Sequence, residues 1–116
     1  MIEKHITAFE TKHFVRLCNK LIGTNERSQL LWHLKENPKD GDVIPGTGGI
    51  RKLRWAKPGS GKRGGIRVIY YFYDENGILF MLTTYAKNEK EDLSSKDKKE
   101  YQKLVKELVK QFKQGS

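Results

Sequence analysis

The sequence predicts an α+β fold: a small antiparallel sheet with helices packed on one face, in the order β-α-α-β-β-β-α. Three observations predict it. Apolar residues recur at helical spacing near both ends of the chain. The middle switches to a period of two, rich in β-branched and aromatic residues. Gly, Pro and Asn mark the changes between these regimes. With 116 residues there is room for one modest core, so a single domain, 1–116, is expected.

The elements follow in order. "KHITAFET" (Lys4–Thr11) carries Ile6, Ala8 and Phe9 in a short strand pattern. In "TKHFVRLCNKLIG", Phe14, Val15, Leu17, Cys18, Leu21 and Ile22 form a helical stripe, and Gly23 suits its C-terminal cap. A second helix follows at once in "TNERSQLLWHLKENP": Thr24 or Asn25 caps it, Leu30, Leu31 and Leu34 are its stripe, and Pro38 stops it. So short a connection predicts an antiparallel helical hairpin. "KDGDVIPGTGG" is a loop of turn formers. Three strands come next: "GIRKLRW", "IRVIYYFYD" and "ILFMLTTYA", the last two joined by the turn "DENG". "KNEKEDLSS" is a polar turn or short helix. In the final segment Tyr101, Leu104, Val105, Leu108, Val109 and Phe112 make the cleanest amphipathic helix of the chain, opened by a capping Ser94 with Asp97 three residues on.

Charge narrows the function. The chain carries 23 Lys/Arg against 14 Asp/Glu, a formal net charge of +9. Residues 43–73 hold Arg51, Lys52, Arg54, Lys57, Lys62, Arg63 and Arg67 and no acid, so most of the excess sits in one segment. Concentrated charge of one sign attracts polyanions, with nucleic acid first among them. A membrane surface fits less well, because the segment reads as strands, not as an amphipathic helix. No apolar run is long enough to span a bilayer, and "MIEKHITAFE" has no apolar core of a signal peptide, so a cytoplasmic protein is expected. Cys18 is the only cysteine; it excludes an internal disulfide and a cysteine-based zinc cage. His5, His13 and His33 show no metal-ligand spacing.

The stretch "GSGKRG" (Gly59–Gly64) fits G-x-G-x-x-G, but the context is wrong for a nucleotide cradle. The dinucleotide fingerprint opens a helix, whereas a strand begins here near Ile66. A P-loop needs Ser or Thr where Arg63 stands and Gly where Ala56 stands. A hairpin loop over residues 56–65 fits better, its glycines allowing close approach to a ligand. Alternation in "IRKLRW" sets Lys52 and Arg54 on one face, opposite Leu53 and Trp55. Ile66, Val68, Tyr70 and Phe72 form a core face, so Arg67 falls on the other. A single such cation is usually a solvated charge that discourages edge pairing. This many across adjacent strands, unbalanced by acid and near Tyr and Trp, point to a polyanion site with aromatic stacking.

The segments "PGTGGIRKLRWAKPGSGKRGGIRVIYYF" and "MLTTYAKNEKEDLS" closely resemble the RelE-like toxins, and within them most resemble the HigB-type subgroup. The combination of "GTGG-I-RK-L-R", "GKRGG-x-R-x-IYY" and "Y-x-KNE-x-x-DL" carries the resemblance over most of the chain, from Lys4 to the terminal helix. The resemblance implies the toxin of a type II toxin–antitoxin pair: an endonuclease that cuts mRNA in the ribosomal A site by attack of the ribose 2′-hydroxyl, without a metal or other cofactor. Its implied partners are the ribosome, mRNA and a HigA-like helix-turn-helix antitoxin, with operator DNA met only through that antitoxin and no membrane. Family members use Lys, Arg and Tyr in the cleavage; crowding by cations lowers a lysine's pKa and suits it to act as base. Motif matching places Lys52 and Arg54 at basic positions of one strand and Arg67 at a phosphate-stabilising position of the next. Where the better-known pattern has a further arginine and a tyrosine, this chain has Asn88 and Leu93, with Tyr85 and Lys87 as substitutes. The expected catalytic set is therefore Arg67, Lys52, Arg54, Tyr85 and Lys87, with Arg51, Lys57, Lys62, Arg63 and Asn88 contacting RNA. Two other readings remain open: a noncatalytic gyrase inhibitor of the ParE kind, and a plain RNA-binding module.

Overall fold

The computed structural model describes residues 5–56 and 65–115. Strand β1 (Thr7–Glu10) leads into helix α1 (Lys12–Glu36). The short β2 (Asp42–Val43) and then β3 (Arg51–Trp55), β4 (Ile66–Tyr73) and β5 (Ile78–Ala86) follow, and helix α2 (Ser95–Gln114) ends the fold. They form one five-stranded sheet in the order β1-β5-β4-β3-β2.

Gly23 divides α1. Its φ of 82° and ψ of 167° break the helix into the two segments read from the sequence. The second segment folds back on the first. Arg27 Nε stands 3.2 Å from Glu10 Oε1, and Arg27 donates to Asn19 Oδ1 at 2.7 Å. In a straight helix residue 27 would lie about 22 Å from residue 12. Thr11 caps the first segment, accepting from Phe14 N at 3.0 Å, and donates to Leu82 O at 3.2 Å, which ties the helix start to β5.

Three expectations change. The sheet is mixed, because β1 pairs parallel with β5 while the remaining pairs are antiparallel. No hairpin links β1 to β5, so local turn chemistry could not set their direction. The short β2, paired with β3 through Asp42–Lys52 and Val43–Arg51, adds a strand inside the segment read as a loop. Two residues give too little alternation to read as a strand.

The helices also lie on both faces, not one. Phe14, Cys18, Leu30 and Leu34 of α1 pack with Leu53, Ile66, Val68, Tyr70, Leu79 and Met81. Val105 and Leu108 of α2 pack with Ile69, Tyr73, Ile78, Phe80 and Leu82 on the opposite side. The cause lies in β4 and β5. Both are apolar on their two faces, and a strand buried on both sides needs a layer over each. Phe9, Phe80 and Phe112 close the α2 layer edge to face, with ring centroids 5.2–5.8 Å apart.

A polar clamp joins the α1 layer to the loop before β2. Buried Tyr70 donates to Pro38 O at 2.8 Å and accepts from Gly41 N at 2.9 Å. Trp55 donates to buried Glu26 at 3.1 Å, and His33 meets Asp40 at 2.7 Å.

Candidate nucleic-acid interface

The register of β3, β4 and β5 builds the site. Arg54 pairs with Arg67, and Arg67 with Tyr85, so the three side chains form one row across the sheet. Lys52 lies in the next row, paired with Ile69, which pairs with Thr83. Lys52, Arg54, Arg67 and Tyr85 therefore share a face, as alternation requires. It is the face that α2 packs on, not the bare face expected. α2 covers the end around Tyr73 and Phe80, and the segment between β5 and α2 covers the basic end.

Two arginines directly opposite each other oppose folding, since like charges on paired residues repel. Arg67 is also buried, at 5% exposure, while Arg54 is exposed. The Arg67 Nε has no hydrogen-bond partner among the described residues. Its Nη2 stands 3.5 Å from Glu91 Oε2. Lys52 Nζ meets Asp92 Oδ1 at 2.5 Å, and this contact holds the Asp92 carboxyl below its usual pKa. A buried guanidinium whose Nε has no partner among the described residues, and whose carboxylate contact is long, is equipped to accept an anion from solution.

Tyr85 has a different role in the row. Burial pushes its phenol up to about 12; the nearby Asp92 adds to the rise and Arg67 opposes it. The phenol stays protonated at neutral pH and donates to Glu91 O at 3.1 Å. A protonated phenol two strand spacings from Arg54 is a proton donor held beside a cluster of cations. Lys90 Nζ lies 4.9 Å from the centre of the Tyr85 ring. Tyr85 and Lys90 also line a cavity of about 390 Å³ between α1 and α2, together with His13, Lys20, Thr83 and Tyr101. His13 contacts Thr83 Oγ1 at 2.9 Å, so a histidine that sequence distance kept apart comes to the margin of the site.

The other expected residues are placed unequally. Lys87 and Asn88 stand exposed in the turn after β5. Arg51 belongs to the opposite face, paired with Tyr70, where it donates to Lys39 O at 3.2 Å and Gly41 O at 2.7 Å. It ties down the loop before β2 and does not join the row. Lys57, Lys62 and Arg63 lie outside the described residues. Sequence reasoning missed Glu91 and Asp92. The one signal for them was a pair of adjacent acids in a turn close to a segment devoid of acid. Among the described residues no group of three His, Cys, Asp or Glu is arranged to hold a metal ion.

The whole arrangement, from β1 to the end of α2, matches a known pattern. Residues 6–115 fit the family described as the RelE toxin of the RelE / RelB toxin-antitoxin system. The chain belongs to the RelE toxin family. Solved structures agree at the level of the fold. An arginine-to-alanine double mutant of the Escherichia coli toxin RelE, in the free state, superposes with a TM-score of 0.54 at 20% identity, covering 75% of this chain and 88% of that one. The RelBE2 toxin–antitoxin complex of Mycobacterium tuberculosis gives 0.53 at 17% identity, covering 71% of this chain and 98% of the matched chain.

Proposed function

We propose that this RelE-family toxin is a ribosome-dependent mRNA endonuclease of the HigB type, held in check by a HigA-like helix-turn-helix antitoxin. The observation that carries the reading is the row Arg54–Arg67–Tyr85 with Lys52 beside it, cations and a protonated phenol on one face of the sheet. The reaction needs no metal. The 2′-hydroxyl of the mRNA gives its proton to solvent water as its oxygen attacks the adjacent phosphorus, the P–O5′ bond breaks, and a 2′,3′-cyclic phosphate remains. Arg67, with Arg54 and Lys52, stabilises the charge that gathers on the phosphoryl oxygens. Tyr85 supplies the proton to the departing 5′-oxygen. Lys52, whose Nζ meets Asp92 in the free protein, is assigned to phosphate contact beside Arg67.

Expression in growing bacteria, with mRNA 5′ ends mapped on translated and untranslated messages, tests the function. Cuts confined to translated messages are expected. Growth arrest without cuts, accompanied by DNA-damage signalling, identifies a gyrase inhibitor instead. For the site, Arg67→Ala is expected to abolish growth inhibition while the purified variant keeps its far-ultraviolet circular dichroism and antitoxin binding. Full toxicity from that variant removes Arg67 from the mechanism.

A further inference from the structure

Glu91 and Asp92 are the exposed partners of the two covered cations of the basic site, Arg67 and Lys52. Their side chains are 57% and 70% exposed, while Arg67 and Lys52 beneath them are 6% and 19% exposed. An anion approaching Arg67 or Lys52 from solvent meets a carboxylate first, whereas Arg54 stands exposed. The segment that carries them is anchored at both ends. Glu89 N donates to Ala86 O at 3.0 Å, and Leu93 is buried in the α2 layer. Between the anchors, its contacts with the site among the described residues are the Tyr85 phenol on Glu91 O, Lys90 by the Tyr85 ring, and the two ion pairs.

The ion pairs are of a kind that exchanges readily. Both carboxylates are well exposed, so water competes for them, and the Arg67–Glu91 contact is long at 3.5 Å. Among the described residues, Arg67 Nε has no hydrogen-bond partner while Glu91 is in place. A phosphate brings more acceptor oxygens than a carboxylate and meets the guanidinium fork more fully. Glu91 and Asp92 are also neighbours in the chain, one contacting Arg67 and the other Lys52. They present two negative groups in succession along one backbone, as a single RNA strand does.

We propose that Glu91 and Asp92 stand in for two successive RNA phosphates: the segment 87–93 closes the basic row in the free protein and gives way when the RNA strand takes the same two cations. The inference rests on the RNA reading of the row given above.

Binding to the full chain tests it, with two probes at fixed ionic strength: a short, uncleavable 2′-O-methyl oligoribonucleotide and inorganic tripolyphosphate. The variant is Glu91→Gln/Asp92→Asn. A second variant, Glu100→Gln/Glu107→Gln, removes two exposed charges from α2 and controls for net charge. The strap variant is expected to bind both probes about fivefold tighter than the charge control, since local repulsion at the site is lost in addition to the general gain in attraction. No gain beyond the control overturns the proposal. A gain for tripolyphosphate alone overturns the assignment of the row to RNA, and with it the phosphate mimicry. A wild-type readout stands beside these: amide exchange over residues 88–93 should quicken when the oligoribonucleotide binds, and slower exchange there contradicts displacement.

Discussion

Arg67 and Tyr70 sit three residues apart on β4 and face opposite layers, and their burial serves opposite ends. Arg67 Nε has no hydrogen-bond partner among the described residues, which favours function over stability. Tyr70 has both capacities of its hydroxyl filled, by Pro38 O and Gly41 N, and serves stability alone. Gly41 allows this by lacking a side chain. A Cβ there would lie 2.8 Å from a Tyr70 ring carbon and 3.1 Å from the Lys52 carbonyl carbon. Both neighbours are fixed, one by burial and one by the sheet. Gly41→Ala should therefore cost about 1–3 kcal/mol, the usual penalty of overpacking, seen as a lower urea midpoint with an unchanged slope. An unaltered midpoint would mean that the loop before β2 shifts freely.

Helix α1 is an element defined by its interruption. The backbone of Gly23 occupies a region open to glycine and closed to other residues, and an added Cβ meets nothing within 4 Å. Any loss on substitution is then conformational and not steric crowding. Gly23→Ala should destabilise the protein by about 1–3 kcal/mol in thermal melts. If it raises stability instead, the two segments merge into one helix and the Arg27–Glu10 pair is lost. The interruption serves the fold twice. It folds the Leu30–Leu34 stripe onto the same face as Phe14 and Cys18, and it brings Glu26 to Trp55 at the end of β3, next to the basic row.

The whole molecule shows its buried acids in its pH dependence. Burial raises the Cys18 thiol to about 11 from 9.0 and the Tyr85 phenol to about 12 from 10.0, and it raises Tyr70 as well. In the unfolded chain these groups lose protons first, so above pH 9 the unfolded state holds fewer protons than the native state. Stability is then complete below pH 9 and falls as pH rises through about 11 and 12. Melting temperature against pH should decline across that window, and Cys18→Ala should flatten its lower part. A flat profile from pH 8 to 11 would mean that these groups are wetter than their packing indicates.

The sequence alone determined the α+β class, the two helical segments meeting at Gly23, the three main strands, the Ser94-capped terminal helix and the alternation that aligns Lys52, Arg54 and Arg67. These depend on periodicity and turn chemistry, which act over a few residues. The tertiary structure decided what depends on residues far apart in the chain. It set β1 parallel to β5 and put a helix on each face, because strands apolar on both sides do not say which helix covers which. It sent Arg51 to the opposite face, to the carbonyls of Lys39 and Gly41. It laid Asp92 on Lys52 and Glu91 on Arg67, across 40 residues in the first case, so that acids outside the basic segment cover its cations. Charge attraction has no sequence period, and only the folded chain shows which charges meet.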